Sequence, residues 1–292
     1  MIDYVYHRPE TLEEVFALME RYGDRATLVA GGTDVLVNIR QQRRSPEALI
    51  SLRKLEGLKY IRKNGGYHIG ALTTHRMLEQ SELVRCELKA LQQAAAQVGS
   101  VQIRNVATIG GNICNAAPSA DTLGPLLVFD AVFVLQGPSG RRRVPAEAFF
   151  LGPAETVKTA DEILTGIEIP AGMRGYKSAY RKHARRQALN LPIVGVCVGL
   201  ALAEDGRTIK DARIALTVAA PTAIRIAAAE TFLTGKPFSD DVLAEAGRIA
   251  SSPECCMPRD SLRCEAWYRE EMIRVLIPRV ARAAVGSSAV SG

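Results

Sequence analysis

The segment Ala30-Gly31-Gly32-Thr33-Asp34 decides the fold of the first part of the chain. The apolar residues 26–30 predict a strand that leads into it, and residues 35–39 predict a helix that follows it. Adjacent glycines in such a turn let an anion approach the backbone amides closely. The segment has neither the Lys-Ser/Thr of a P-loop nor the glycine spacing of a Rossmann fingerprint. It therefore indicates either a different phosphate site or an ordinary turn.

A second segment, Thr108-Ile109-Gly110-Gly111-Asn112, again combines two glycines with short polar side chains. Two such loops on either side of a cleft could bind the two phosphates of a dinucleotide. The short polar side chains of Asn115, Ser119 and Asp121 follow and could bind a ribose or a ribityl chain. The alternative is that all of these are turn and cap residues before a helix predicted at 120–129.

Helices and strands alternate through the rest of the first part. The capping box Thr11-Leu12-Glu13-Glu14 predicts a helix over 11–22, which Gly23 would end. The small residues of segment 99–125 are not typical of an ordinary core element. The other predicted elements are a hairpin of strands 59–62 and 67–71 around Asn64-Gly65-Gly66, a helix near 86–98, and strands near 131–136 and 162–169.

Pro170-Ala171-Gly172 interrupts this pattern and predicts a domain boundary. Beyond it, three apolar runs predict strands and three helical patterns close the chain, which is typical of an α+β domain. The predicted elements are strands 176–181, 193–203 and 209–219, and helices near 222–234, 239–251 and 260–284.

The composition indicates a globular protein with room for two packed domains. The chain has 292 residues, of which 47% are hydrophobic and 23% are charged. The longest apolar run, residues 191–203, is too short to span a membrane, and residues 1–10 carry no signal pattern, so we expect a cytoplasmic protein. The six cysteines are too widely spaced for a metal or cluster motif, so we expect reduced thiols.

The net charge of +6 raises the question of nucleic-acid binding. Basic runs occur at Arg43-Arg44, at Arg141-Arg142-Arg143 and around Arg181-Lys182. No zinc motif, helix-turn-helix or row of stacking aromatic residues accompanies them. An anionic dinucleotide or an acidic partner accounts for the excess basic charge, and we expect no nucleic-acid partner.

The two glycine segments, Ala30–Asp34 and Gln102–Asn112, resemble those of the FAD-binding subunit of xanthine dehydrogenases and related molybdenum hydroxylases, including aerobic carbon monoxide dehydrogenase. The segment Ala219–Arg225 resembles the motif of the family's C-terminal domain, so the likeness covers nearly the whole chain. It implies an α+β fold, with a p-cresol-methylhydroxylase-type FAD-binding domain of two α/β subdomains. A C-terminal domain with a three-stranded antiparallel sheet and helices would follow.

The resemblance also implies domain limits and cofactor contacts. The FAD-binding domain would span 1–171, with subdomains of about 1–56 and 57–171, and the C-terminal domain would span 172–292. The glycine segments would bind the diphosphate, Leu164 would contact the cofactor through its backbone, and no catalytic side chain or metal ligand is expected. The expected contacts with FAD are Thr27, Leu28, Val29, Ala30, Gly31, Gly32, Thr33, Asp34, Thr108, Ile109, Gly110, Gly111, Asn112, Asp121, Leu164 and Lys182.

The implied function is electron transfer within an oxidoreductase complex. A molybdenum cofactor on a large partner subunit would oxidise the substrate, and two iron–sulfur clusters on a small subunit would deliver electrons to FAD on this chain. NAD or another acceptor would then receive them. Several relatives carry an acidic or aromatic residue near the flavin where this chain has Ala188-Leu189-Asn190-Leu191-Pro192, which puts NAD in doubt.

Two other functions remain open from the sequence. A free-standing flavoenzyme would need a catalytic His or Tyr beside the flavin, and only His183 stands next to an expected cofactor contact. We interpret His7, His68 and His75 as surface or strand-end residues. The second alternative is a structural assembly subunit without flavin, which the intact glycine segments disfavour.

Overall fold

A small parallel sheet with two helices forms the N-terminal part of the computed structural model, which describes residues 4–173, 175–186 and 188–286. Its elements are β1 (Val5–His7), α1 (Leu12–Tyr22), β2 (Ala26–Val29), α2 (Val35–Arg40) and β3 (Ala48–Ser51). Strand β3 is central and pairs in parallel with β1 and β2. The predicted helix α1 is confirmed, with the Thr11 hydroxyl accepting from Glu14 N at 3.2 Å.

An antiparallel sheet of five strands and a group of short helices form the middle of the chain. The sheet has the order β4-β5-β10-β6-β7, so its last strand in sequence is its central one. The elements are β4 (Ile61–Lys63), β5 (Gly66–Gly70), α3 (His75–Gln80), α4 (Glu82–Glu87), α5 (Lys89–Ala96), α6 (Val101–Val106), α7 (Ile109–Asn115), α8 (Leu123–Val128), β6 (Val132–Gly137), β7 (Gly140–Pro145), the two-stranded ribbon β8 (Phe150–Gly152) and β9 (Glu155–Thr156), and β10 (Ile163–Pro170).

The C-terminal part is an antiparallel sheet covered by helices. Its elements are β11 (Lys177–His183), β12 (Val194–Leu202), β13 (Ile209–Thr217), β14 (Ile224–Arg225), α9 (Ala227–Leu233), α10 (Asp240–Ala250) and α11 (Ala266–Val285). The three predicted strands are present in the order β11-β12-β13, and the two-residue β14 adds a fourth at the edge. The predicted α+β architecture is confirmed.

Strand β12 is buried on both faces, which ties the C-terminal sheet to the middle of the chain. Cys197 packs in the same apolar cluster as Leu123 and Leu126 of α8. Its neighbours Val196 and Val198 pack on the opposite face, in the cluster that contains the apolar side chains of α10 and α11. The sheet is therefore a middle layer between α8 and the C-terminal helices.

The expectation that segment 99–125 contains no ordinary core element was wrong, because it forms helices α6 and α7 before α8, the helix predicted at 120–129. Its small residues permit close packing of helices instead of marking a loop. A side-chain carbon on Gly124 would lie 3.3 Å from the Cβ of Cys197, and every residue of α8 is buried. The helix predicted near 86–98 is divided into α4 and α5 at Leu88.

Two ionic contacts connect the turn after α8 to the C-terminal sheet. Asp130 accepts from Arg213 Nη1 at 2.6 Å and from Arg225 Nη1 at 2.8 Å, and Arg225 also pairs with Glu230 at 2.6 Å. Asp130 has a left-handed φ of 48°. Over the described ranges, the helices all fall short of the length and apolar character that a membrane crossing needs.

Candidate functional site

The two glycine segments lie against each other, backbone to backbone. A side-chain carbon on Gly31 would overlap Val106 O and would lie 2.8 Å from the Cα of Ala107. One on Gly111 would face the Cβ of Ala30 at 3.9 Å. Strand β2 leads directly into the first segment, and helix α6 leads directly into the second. These two elements therefore place the glycine segments side by side.

The first segment turns sharply between β2 and α2. Gly32 has a φ of +79°, a conformation that glycine adopts without strain, and its carbonyl accepts from Leu36 N at 3.1 Å. Thr33 is half-buried and Asp34 is exposed, with 3.4 Å between their side-chain oxygens. Of the strand residues before the turn, Thr27 and Val29 are buried, and Leu28 and Ala30 are partly accessible.

The second segment is the first turn of helix α7 and not a loop, which corrects the sequence prediction. Thr108 caps this helix, because its Oγ1 accepts from Gly111 N at 3.1 Å. Gly110 N donates to Ala71 O at 2.9 Å, and a side-chain carbon on Gly110 would lie 2.6 Å from that same oxygen. Gly110 is therefore required by packing, while Gly111 is exposed on the side of the first segment.

Leu164 lies beside this second segment. It is buried in β10 and pairs with Leu135 next to a β-bulge. The bulge lets Thr165 O accept from Ala71 N at 3.1 Å, and Ala71 O binds Gly110 as described above. One residue, Ala71, thus connects the start of β10 to the start of α7.

Asp121, Tyr180 and Lys182 form a buried polar cluster beside α7. Lys182 Nζ lies 2.9 Å from Asp121 Oδ2 and donates to Gln97 O at 3.1 Å, while Tyr180 donates its hydroxyl to Asp121 Oδ1 at 2.7 Å. The side chains of Lys182 and Asp121 are only 9% and 6% exposed. Asn112 joins this cluster to the second segment, because its Oδ1 accepts from the Thr122 hydroxyl at 2.7 Å.

Burial and charge set the protonation of this cluster. Burial raises the pKa of Asp121 above its ordinary value, and the Lys182 ammonium and the Tyr180 hydroxyl oppose that rise. Burial also raises the pKa of Tyr180 well above its ordinary value, so its hydroxyl stays a donor. Lys182 therefore faces an acidic side chain of its own chain at ion-pair distance.

Tyr180 and Gly195 belong to the cluster, although the sequence did not point to them. Tyr180 lies two residues before Lys182 on β11, so the two side chains share one face of the strand. Gly195 pairs with Lys182 across β11 and β12. A side-chain carbon there would overlap Thr217 Oγ1 and would lie 2.8 Å from the Tyr180 hydroxyl oxygen.

Of the histidines interpreted as surface or strand-end residues, His75 is placed differently, whereas His7 ends β1 and His68 is half-buried in β5. His75 is fully buried, not at the surface, because its backbone N donates to Ala107 O at 3.0 Å directly before the second segment. Both of its ring nitrogens lack partners among the described residues, and burial, with the nearby Arg104, lowers its pKa to about 4. His183 faces Tyr268, with 3.1 Å between Nε2 and the hydroxyl, on the strand face opposite Lys182.

The groups at this site have the chemistry to bind an anionic dinucleotide. Gly111 is exposed and Gly31 is partly accessible, so backbone is accessible where the two segments meet, although Gly32 itself is buried. The buried Nδ2 of Asn190, in the connection after β11, is a donor without an acceptor among the described residues. Across the described ranges, no group of three His, Cys, Asp or Glu side chains is arranged to hold a metal ion.

Comparisons with known proteins identify the class. The family model described as the FAD-binding domain in molybdopterin dehydrogenase matches residues 2–172. The model described as the CO dehydrogenase flavoprotein C-terminal domain matches residues 178–284. The chain belongs to this family and is the FAD-binding subunit of a molybdenum hydroxylase, and hence a subunit of an oxidoreductase.

Individual relatives match the chain along its length. The carbon monoxide dehydrogenase medium chain of Hydrogenophaga pseudoflava is 35% identical over 96% of both chains. The xanthine dehydrogenase FAD-binding subunit of Escherichia coli O157:H7 is 33% identical over 99% of this chain and 98% of that one. The solved carbon monoxide dehydrogenase from Hydrogenophaga pseudoflava superposes with a TM-score of 0.91 at 35% identity, covering 97% of each chain. The solved quinoline 2-oxidoreductase from Pseudomonas putida 86 superposes with a TM-score of 0.90 at 26% identity, covering 97% of this chain and 96% of that one.

Proposed function

We propose that the chain relays electrons through FAD between partner subunits and a final acceptor. Electrons would arrive from two iron–sulfur clusters on a small subunit, after a molybdenum cofactor on a large subunit has oxidised the substrate. The observation that carries the proposal is the backbone contact between the two glycine segments, next to the buried cluster of Asp121, Tyr180 and Lys182. Near full-length relatives called medium chain and FAD-binding subunit support a role beside other chains.

The proposed cofactor contacts follow the segments described above. Residues 27–34 and 108–112 would hold the diphosphate and adjoining groups, Leu164 would contact the cofactor through its backbone, and the Asp121–Lys182 pair would hydrogen-bond to it. When bound, FAD supplies a centre that exchanges one or two electrons. The residues of this chain then orient it and exclude water, and none needs to act as an acid or base.

Lys182 would act through Asp121 and not as an isolated cation. A free ammonium near the flavin would stabilise negative charge there, whereas an ionised Asp121 at 2.9 Å would compensate the charge of Lys182. Its main contribution would be to keep Asp121 ionised in a buried position. The carboxylate could then accept hydrogen bonds from a ribityl chain or ribose of the cofactor.

The domain limits and the location complete the proposal. The chain would comprise an FAD-binding domain at 1–171, with subdomains of about 1–56 and 57–171, and a C-terminal domain at 172–292. Two family models that meet between residues 172 and 178 support this boundary. The six cysteines are free thiols, which supports a reducing compartment such as the cytoplasm. NAD or another carrier would be the final acceptor.

Flavin content tests the proposal directly. The chain would be co-produced with its partner chains, and FAD, iron and molybdenum would be measured in the purified complex. Gly111→Asp places a carboxylate where the diphosphate is proposed to bind, so we expect FAD occupancy to fall at least tenfold. Gly57→Asp is the matched control, because Gly57 is exposed and has no atom within 4 Å of an added side-chain carbon.

The outcomes separate the competing functions. Full FAD occupancy in Gly111→Asp would contradict the proposed site. Flavin without iron or molybdenum, together with substrate turnover by the chain alone, would favour a free-standing flavoenzyme. A complex that contains iron and molybdenum but no flavin would favour a structural subunit.

A further inference from the structure

Exposed leucines and a tryptophan form one surface at the end of the C-terminal sheet. We call it the arginine–leucine surface and define it by Arg185, Arg186, Leu189, Leu191, Leu262 and Trp267. Leu262 is completely exposed, and the other three apolar side chains are between 47% and 64% exposed. Large apolar side chains in one exposed group indicate a surface that another molecule covers.

Specific contacts hold the two parts of this surface together. Arg269 is almost fully buried and donates from Nε to Ile193 O at 2.9 Å and from Nη2 to Ser261 Oγ at 2.7 Å. Arg185 donates to Arg263 O across the same junction. The connection between β11 and β12 and the segment before α11 therefore form one continuous surface.

The surface carries excess positive charge. Five arginines surround the apolar side chains, and none of them forms an ion pair within the described ranges: Arg181, Arg185, Arg186, Arg259 and Arg263. Two carboxylates lie in the same segment, Asp260, which accepts from Ala266 N at 2.7 Å, and Glu265, which accepts from Trp267 Nε1 at 2.6 Å; they keep their negative charge, but the five arginines outnumber them. An acidic partner would complement this charge.

The surface also adjoins the proposed cofactor site. Lys182 is the penultimate residue of β11, and its Nζ donates to Gln97 O at 3.1 Å. Leu189 N, in the β11–β12 connection, donates to Gly99 O at 3.2 Å. Gly99 lies two residues after Gln97 in the sequence. A molecule on this surface would therefore lie beside the groups that we propose to hold FAD, and the inference rests on that proposal.

We propose that the arginine–leucine surface docks a soluble, acidic, one-electron carrier protein that takes electrons from this subunit. Trp and Arg are enriched at the centres of surfaces that bind protein partners, and the exposed leucines add apolar area that such a partner would cover. Permanent subunit interfaces are larger and more apolar, whereas a small apolar centre with a charged rim suits a transient encounter steered by charge. Two electrons leaving the reduced cofactor would reduce two carrier molecules in succession, and the proton would pass to solvent.

Charge reversal with two carrier probes tests the inference. The intact complex would be reduced anaerobically with dithionite and mixed with oxidised rubredoxin, a small acidic one-iron carrier, or with basic cytochrome c. At low ionic strength we expect Arg185→Glu/Arg186→Glu to slow reoxidation by rubredoxin at least tenfold and to accelerate reoxidation by cytochrome c. Reoxidation by neutral benzoquinone should stay within twofold. Leu189→Ser should slow reoxidation by rubredoxin but not reoxidation by cytochrome c or benzoquinone.

The matched control reverses two arginines elsewhere. Arg248→Glu/Arg274→Glu makes the same change in net charge on the exposed faces of α10 and α11 and should leave the rubredoxin rate within twofold. An unchanged rubredoxin rate in Arg185→Glu/Arg186→Glu, or loss of the partner chains during its purification, would overturn the inference. A wild-type complex without flavin would instead overturn the proposed function.

Discussion

Lys182 Nζ lies 2.9 Å from Asp121 Oδ2, and the two residues are 61 positions apart in the chain. Both side chains are nearly inaccessible to water. Breaking a buried pair from one side leaves an uncompensated charge, which costs far more than an exposed pair would contribute. This relationship makes the cluster the most sensitive part of the proposed site.

Removing Lys182 alone should therefore be severe. For Lys182→Met we expect a loss of about 3 to 5 kcal/mol in the free energy of unfolding, because Asp121 is left buried without a counter-ion. Urea denaturation measures this loss, and the visible spectrum reports the accompanying fall in FAD occupancy. The double variant Lys182→Met/Asp121→Asn should recover much of the stability, and a double variant as unstable as the single one would contradict the pairing.

Gly195 should tolerate no side chain. In Gly195→Ala the added carbon overlaps Thr217 Oγ1 and reaches the Tyr180 hydroxyl, so we expect a loss of about 1 to 3 kcal/mol from overpacking. Weaker retention of FAD should accompany it, because the Tyr180–Asp121 hydrogen bond is disturbed. Gly172→Ala is the control, since nothing lies within 4 Å of its added carbon and its stability should change little. Equal stability of the two variants would refute the clash.

His75 should make the protein sensitive to mild acid. Its pKa is about 4 in the folded chain against an ordinary value of 6.5, so the unfolded chain binds a proton first as the pH falls. The contribution of neutral His75 to the free energy of unfolding is fully present above pH 6.5. About 3 kcal/mol of this free energy is lost as the pH falls from 6.5 to about 4. Urea unfolding at several pH values measures the loss. His75→Leu should flatten this slope between pH 6.5 and 4, whereas His68→Leu should leave it unchanged.

Asp130 should hold the C-terminal sheet against the turn after α8. Asp130→Asn removes the charge that Arg213 and Arg225 share, and asparagine still accepts the left-handed φ of 48°. We expect a loss of about 1 to 2 kcal/mol, since Asp130 is partly exposed and water screens the pairs. Asp241→Asn on the exposed face of α10 is the control. Faster amide exchange in β13 and β14 would accompany the loss, and unchanged exchange would argue against this role.

Local patterns predicted much of the fold. The capping box located α1, the turn residues located the β4–β5 hairpin, and apolar runs located the long strands of the C-terminal sheet. Each of these signals acts between residues that are close in sequence. The first glycine segment belongs to the same class, because strand, turn and helix follow one another directly.

The failures came from packing between distant residues. Position 110 has no space for a side chain because Ala71 O lies against it. The residues next to Gly110 in the sequence do not indicate that contact. The second segment was therefore interpreted as a loop although it begins a helix. His75 was assigned to the surface for the same reason, since its burial depends on the segment that ends at Ala107. Likewise, only the folded chain shows that Lys182 meets Asp121.

The contact between Gly31 and the backbone at Val106 has a consequence for how this protein tolerates mutation. Because the two segments meet through main-chain atoms, their separation is set by covalent geometry and not by the size of any side chain. Side chains near this contact, such as that of Ile103, can change while that spacing is kept. We therefore expect most positions around the site to vary among relatives, and only a few glycine positions to tolerate no substitution.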